Sequence, residues 1–377
     1  MSSPAKRVLL VTRNFPPLWG GMEKLNWHLA AELSRTCHVR VIGPEGAARS
    51  APQGVEVREL PLRPLSKFLR SAALCACREA AHWRPDVVLA GSGLTAPLAW
   101  LAARAGKGQA MAYVHGLDLA ARHPLYRLLW RPALRRMDRL IANSNATAAL
   151  ATGIGVPSER LRIVHPGVEL PDPDPRARAR FREAQRLADV PVLLSVGRLT
   201  ARKGLREFVA DVLPRIVARR PDVQLVIVGG EPNDALYAQA QTPASIQEAA
   251  VAVGVQANVR FLGPLFGADL LAAYAGADVH VFPVRALPGD PEGFGMVAVE
   301  AAAYGVPTVA YATGGVCDAV MEGVSGRLVA PGDAAGMAAA VLDALATPWS
   351  PETLRAFAGG FAWNRFGGQM LSALGLG

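Results

Sequence analysis

The sequence predicts an α/β protein made of two Rossmann-like domains, each built on a parallel sheet, facing a central cleft. Three observations lead there. Short apolar, β-branched runs alternate with segments of helical periodicity, the pattern that parallel sheets leave in a chain. The alternation stops at Pro171-Asp172-Pro173-Asp174-Pro175 and then begins again. A chain of 377 residues also exceeds a comfortable single core and fits about two domains at roughly 150 residues each.

The first series of strand-like runs comprises Val8 to Val11, Val39 to Ile42, Val87 to Ala90, Met111 to Val114 and Leu140 to Ala142. The second comprises Val192 to Val196, Leu225 to Val228, Val259 to Leu262, Val279 to Phe282 and Thr308 to Tyr311. This places a first domain over 1–170, a linker over 171–189 and a second domain over 190–359. Ligands of such sheets sit at the carboxyl ends of the strands. The segments that follow each run are therefore the candidates for function.

After the first run, Thr12 to Glu23 contains two prolines that stiffen a loop and Gly20-Gly21 at the start of a helix, whose buried face is marked by Met22, Leu25, Leu29 and Leu33. A Gly-Gly at a helix N-terminus can receive phosphate or sugar oxygens, and can equally be a tight turn. Tyr113-Val114-His115-Gly116-Leu117-Asp118 puts a histidine at a strand end, followed by a glycine that lets the chain turn away. Asp118 is placed either to orient an acceptor or to cap the next helix.

In the second series, Ser195-Val196-Gly197-Arg198-Leu199-Thr200-Ala201-Arg202-Lys203-Gly204 runs from a strand into a turn where Arg198 and Lys203 can converge on one anion. Cations near a helix start are opposed by the helix dipole, which argues for an anionic ligand there. Val228-Gly229-Gly230 and Phe261-Leu262-Gly263 end the next two runs. Most informative is Glu292-Gly293-Phe294-Gly295-Met296-Val297-Ala298-Val299-Glu300. It sets one carboxylate in a glycine-bearing loop and a second about a turn into the following helix. Glycines there let a ligand approach the backbone, and the first N–H groups of the helix can meet its oxygens. Carboxylates accept hydrogen bonds from sugar and ribose hydroxyls, whereas cations and N–H groups suit phosphates. A sugar nucleotide matches both requirements.

At these residues the chain resembles family 4 of the retaining glycosyltransferases, whose signature is a Glu, seven residues and a Glu. The resemblance covers nearly the whole chain and implies the GT-B fold. It implies that Gly20 and Gly21 lie against the donor sugar and diphosphate, that His115 contacts the transferred sugar, and that Arg198 and Lys203 stabilise the departing diphosphate. Gly229 and Leu262 would help hold the nucleotide. Glu292, with the N–H groups near Phe294, Gly295, Met296 and Val297, would position sugar hydroxyls, and Glu300 would hold the ribose. Phe361 to Phe366 resembles the family's terminal helix, so 360–377 is expected to pack back on the first domain. Thr313 to Asp318 resembles a further loop, although Cys317 and Asp318 stand where Pro and Glu are more usual. Pro288 to Gly295 looks closest to members that use GDP-mannose, including the phosphatidylinositol mannoside enzymes; UDP- or dTDP-sugars are the alternative donors.

Charge adds a partner. The net charge is +9, but residues 1–170 hold 23 Lys and Arg against 11 Asp and Glu, while the rest holds 17 against 20. A basic first half suits an anionic surface. Arg63 to Leu74 and Tyr126 to Arg136 mix cations with large apolar residues, as interfacial elements do. The expected acceptor is therefore a lipid-linked or lipopolysaccharide-type glycan, with the enzyme cytoplasmic and peripheral to the inner membrane face. No apolar run reaches the roughly 18 residues of a membrane span, and no signal-peptide core opens the chain. Cys37, Cys75, Cys77 and Cys317 lack zinc-site spacing and read as reduced and buried. Asp172-Pro173-Asp174 spells a metal-binding pattern but lies between prolines, so no metal cofactor is expected. A nucleotide-sugar epimerase would need acid and base residues beyond His115. A nucleic-acid-binding protein would need an RNP-like or zinc-finger pattern, which is absent, so no nucleic acid partner is expected.

Overall fold

In a computed structural model, which describes residues 5–172, 174–231 and 240–377, the chain divides into two compact units. The first comprises Met1–Gly167 with Ala362–Gly377, the second Val168–Phe361. Each is α/β with a wholly parallel sheet.

The first sheet has seven strands: β1 (Arg7–Val11), β2 (His38–Pro44), β3 (Val55–Leu60), β4 (Val87–Ala90), β5 (Gln109–Val114), β6 (Arg139–Ala142) and β7 (Leu161–Ile163). Their spatial order is β3-β2-β1-β4-β5-β6-β7, with the order reversing between β1 and β4. The second has β8 (Val192–Val196), β9 (Gln224–Val228), β10 (Val259–Gly263), β11 (Val279–Phe282), β12 (Thr308–Tyr311) and β13 (Gly326–Val329). Their order, β10-β9-β8-β11-β12-β13, reverses between β8 and β11. Those reversals are the switch points at which Rossmann-like sheets open a crevice. Central strands such as β4 and β11 are buried at every residue, since helices cover both faces.

Three strands, β3, β7 and β13, were not expected from the apolar runs. All three are edge strands. Glu56, Arg58, Arg162 and Arg327 interrupt them, the polar interleaving that blunts a sheet edge and hides it from a search for hydrophobic runs.

Small residues set the helix packing of the first unit. Helices Leu65–Trp83 and Ala96–Gly106 meet through Ala80, Ala103 and their neighbours, and a Cβ on Gly106 would lie 2.7 Å from the Ala80 carbonyl. Helix Trp363–Leu374 belongs to this unit and packs on helix Gly21–Ser34. Trp363 stacks on His28 at 3.9 Å between centroids, and Phe366 meets Tyr113 edge-on at 6.2 Å. In helix Gly21–Ser34 the residues Leu25, Leu29 and Leu33 are buried, whereas Met22 is only half-buried, at the exposed first turn.

Helix Pro124–Arg135 is exposed over most of its first half. Leu125, Leu128 and Leu129 are 55%, 70% and 52% accessible, with Arg127 and Arg135 exposed among them. Trp130 anchors it by donating to the Leu94 carbonyl at 2.8 Å. Among the described residues no helix is long and apolar enough to cross a membrane.

The segment 171–189 is more than a connector. Its Pro173 lies outside the described residues, and Asp174 accepts from the Arg176 N–H and the Arg180 guanidinium rather than facing a site. Helix Ala177–Ala184 packs into the second unit: Phe181 is buried against Gly276, and buried Arg182 bonds the carbonyls of Gly276, Ala188 and Val190 and pairs with Asp278 at 2.6 Å. The four cysteines are free, but only Cys37 is buried; Cys75 and Cys77 are half-buried and Cys317 is exposed.

Candidate active site

The second unit assembles its site at the β8/β11 switch point. Gly197 donates to the Val228 carbonyl at 2.9 Å, and Gly229 donates to that of Gly263 at 2.8 Å, extending the sheet past its strands. Gly229 has φ of 146°, and a Cβ there would lie 1.8 Å from the Gly197 oxygen, so only glycine allows this closeness. Leu262, half-buried beside it, packs in the local apolar cluster at a register shift in β10.

The turn Ala201–Lys203 then delivers two cations. Lys203 lies above the Phe282 ring, 4.5 Å from its centroid, and its Nζ donates to Glu292 Oε2 at 2.9 Å. Arg202 pairs with the same carboxylate oxygen, and its Nε lies 3.2 Å from Asp290 Oδ1. These side chains are largely buried: Lys203 is 14% exposed, Arg202 13% and Glu292 11%. Arg198 is exposed and acts on Lys203 and Glu292 through its charge.

Three cations around two carboxylates leave a positive surplus, which adds to burial in setting both titrations. Burial lowers the Lys203 ammonium to about 8, with Arg202 and Arg198 adding to the effect and Glu292 opposing it. Burial alone would raise the Glu292 carboxyl, but Arg202, Lys203 and Arg198 outweigh it and bring it to about 2. The carboxylate is thus held ionised, and the site retains an appetite for negative charge.

Glycines also fix the Glu292 loop. Gly315 donates to the Glu292 carbonyl at 3.0 Å, and a Cβ on Gly315 would lie 2.0 Å from the Gly293 oxygen. Phe294 is buried in the core beside Phe361. Gly295, at φ of 99°, opens helix Met296–Ala303, so the N–H groups of Met296 and Val297 fall in a first turn that lacks intrahelical acceptors. Glu300, a turn on, accepts from the Tyr274 hydroxyl at 3.1 Å, and Tyr274 stacks on Tyr304. Burial, then Glu300 and Glu169, pushes the Tyr304 phenol up to about 12, so it stays protonated.

Beneath these groups, fully buried His280 of β11 lies between Tyr274 and Phe282, with Nδ1 3.1 Å from the Thr308 hydroxyl. Burial, and secondarily Lys203, lowers it to about 3, so the imidazole is neutral. Arg202, Asp290, Tyr274, Tyr304 and His280 were missed in the sequence. Only the dipeptide Arg202-Lys203 and the nearness of Asp290 to Glu292 offered a signal.

The first unit makes a second cluster at its own β1/β4 switch point. Gly20 caps helix Gly21–Ser34 in extended conformation, and the Glu23 carboxylate folds back so closely that a Cβ on Gly20 would lie 2.4 Å from it. Asn14 donates to Glu23 at 2.6 Å, and buried Asn26 donates to the carbonyls of Asn14 and Gly91. His115 follows β5, with Nε2 3.0 Å from the Gly91 carbonyl. A carbonyl only accepts, so Nε2 carries a proton. Asp118 accepts from the His115 backbone N–H at 3.0 Å and closes that turn.

Two Rossmann-like units in tandem, the second carrying a cation-lined acidic pair at its switch point, are the features of a GT-B glycosyltransferase. The family profile "Glycosyltransferase Family 4" matches residues 19–171, and "Glycosyl transferases group 1" matches 190–347. The GDP-mannose-dependent alpha-(1-6)-phosphatidylinositol monomannoside mannosyltransferase of Mycolicibacterium smegmatis is 33% identical over 90% of either chain. A D-inositol 3-phosphate glycosyltransferase of Mycolicibacterium vanbaalenii is 34% identical over 85% of this chain and 76% of its own. The crystal structure of HepE from Anabaena in complex with UDP-glucose shares the fold, with a TM-score of 0.79 at 20% identity over 98% of this chain and 99% of that one. The protein belongs to the family 4 glycosyltransferases and is a glycosyltransferase enzyme.

Proposed function

We propose that the protein is a retaining, metal-independent mannosyltransferase that moves mannose from GDP-mannose to a lipid-linked glycan acceptor. The observation that carries this reading is the Glu292 carboxylate gripped by Lys203 and Arg202 inside a cluster of positive surplus. Such a cluster accepts a diphosphate while keeping an ionised acid beside it to read sugar hydroxyls. Arg198 and Lys203 stabilise charge growing on the leaving diphosphate, the role a divalent ion fills in metal-dependent enzymes. Glu292 and the N–H groups of the Phe294-Gly295-Met296-Val297 turn position the sugar; Glu300 holds the ribose. His115 contacts the transferred sugar, as the family resemblance implies. The acceptor attacks from the face the diphosphate leaves, and a donor phosphate oxygen takes its proton.

GDP-mannose is favoured by the 33% identity to an enzyme named for that donor. A lipid-linked acceptor is favoured by the same relative and by the exposed leucines and arginines of helix Pro124–Arg135, which suit an anionic membrane surface. A second reading, a water-soluble inositol phosphate acceptor, is favoured by the 34% identity to the D-inositol 3-phosphate glycosyltransferase. Radiolabelled GDP-mannose, UDP-glucose and a dTDP-sugar, each offered with phosphatidylinositol mannoside vesicles or with inositol 3-phosphate, separate these. Transfer from GDP-mannose into the lipid phase is expected. Turnover of another donor alone overturns the donor assignment, and transfer to inositol phosphate alone favours the second reading.

A further inference from the structure

Glu292 is held by two cations of different kinds. Lys203 reaches it with a single ammonium, a point charge on a flexible stem, which can turn to a second anion nearby. Arg202 reaches Glu292 with one edge of its guanidinium, and its Nε lies 3.2 Å from Asp290 Oδ1, an ion pair without hydrogen-bond geometry. The guanidinium thereby lies between the charges at both ends of a three-residue loop. The Arg202 backbone is fixed as well, since its carbonyl accepts from the Arg285 N–H at 2.8 Å. Gly204, directly after Lys203, sits against the Pro283 carbonyl, so the whole turn is braced on the segment after β11.

These contacts respond differently to an arriving diphosphate. The ligand's negative charge competes with Glu292 for Lys203 and Arg198. It competes less for Arg202, which lies between two carboxylates on a backbone held by the Arg285 N–H. We propose that Arg202 is a positioning residue, which keeps Glu292 in place against the donor sugar after Lys203 has turned to the diphosphate. This rests on the donor-site reading above and adds a division of labour: Lys203 and Arg198 serve the phosphates, while Arg202 with Asp290 serves the acid that reads the sugar.

The difference is measurable by titration calorimetry of the full chain with four probes: GDP, UDP, GDP-mannose and UDP-glucose. If Arg202 acts through Glu292, Arg202→Gln weakens the preferred sugar nucleotide by about 10-fold, the scale of one lost charge-assisted hydrogen bond. It weakens the matching nucleoside diphosphate less, through the lost charge alone, because Lys203 and Arg198 still meet the phosphates. Lys203→Gln weakens both ligands. Arg202→Lys, which keeps the charge but cannot span both carboxylates, recovers part of the sugar increment. Asp290→Asn shifts the same increment in the same direction without removing a cation, and it carries the test should Arg202→Gln fail to fold. Equal weakening of nucleoside diphosphate and sugar nucleotide by Arg202→Gln would make Arg202 a phosphate ligand and overturn the proposal. So would no change in either. Failure of the unmodified protein to bind any of the four probes is a distinct result, removing the donor-site reading and this assignment with it.

Discussion

His280 offers a quantitative prediction, because its imidazole is fully buried and neutral at about 3 against an ordinary value of 6.5. The folded value is the lower one. The unfolded chain therefore binds the extra proton first, and stability is lost as the pH falls below 6.5 toward 3. At pH 5 the gap to the ordinary value is about 1.5 units, so the second unit should lose about 2 kcal/mol relative to neutral pH. Glu292 does not interfere, since its own contribution is lost only as the pH falls from 4.5 toward about 2. The perturbation is His280→Leu, which fills the site without a titrating group and leaves the Thr308 hydroxyl a second acceptor in the Ala298 carbonyl at 3.4 Å. Hydrogen exchange of β11 and β12 amides between pH 7 and 5 reports opening of the second unit even where the two units unfold separately. The variant should shift by a constant offset and lose the 2 kcal/mol slope, to within about 0.5 kcal/mol. An unchanged slope would refute a neutral, buried imidazole.

Three further outcomes follow from the same geometry. Gly229→Ala forces a Cβ to within 1.8 Å of the Gly197 oxygen at a φ of 146°, and should cost about 2 kcal/mol or more in thermal unfolding while abolishing stabilisation by nucleotide. Lys203 titrates near 8 rather than 10.5, so kcat/KM for the donor should fall as pH rises through about 8; Lys203→Arg, which does not deprotonate, should remove that limb while preserving some activity. Glu300→Gln should shrink the rise in Tm produced by nucleoside diphosphate, whereas Glu292→Gln should mainly cut turnover; the reverse pattern would exchange the two roles.

Much of the fold was legible because buried parallel strands must be apolar on both faces. Val87 to Ala90, Val192 to Val196, Val279 to Phe282 and Thr308 to Tyr311 coincide with β4, β8, β11 and β12. Edge strands escape that logic, as Glu56 and Arg58 in β3 illustrate. Helix Ala177–Ala184 escaped for a related reason: its alternating arginines look solvated, yet Arg182 is buried because Asp278 and three carbonyls satisfy its guanidinium. Of the second-unit site, Glu292, Glu300, Arg198 and Lys203 stood out through their resemblance to a family signature. Spacing alone does not bring Lys203 to Glu292; that takes Gly204 against Pro283 and Gly315 against Gly293. Tyr274, Tyr304 and His280 come from separate elements and look like ordinary core residues until the β8/β11 switch point gathers them. Asp118 had two readings in sequence, orienting an acceptor or capping the next helix; the N-cap of helix Leu117–Ala120 is Gly116, and Asp118 sits in the first turn, accepting from the His115 N–H.

The most direct measurement is a crystal structure with GDP, and in parallel UDP, bound to the full chain. The diphosphate should lie within hydrogen-bond reach of Arg198 and Lys203, with the Lys203–Glu292 contact lengthened and the ribose hydroxyls on Glu300. A nucleotide bound elsewhere, or one whose phosphates avoid Lys203 while Glu292 keeps both of its cations, would contradict a diphosphate-gripping site in the second unit.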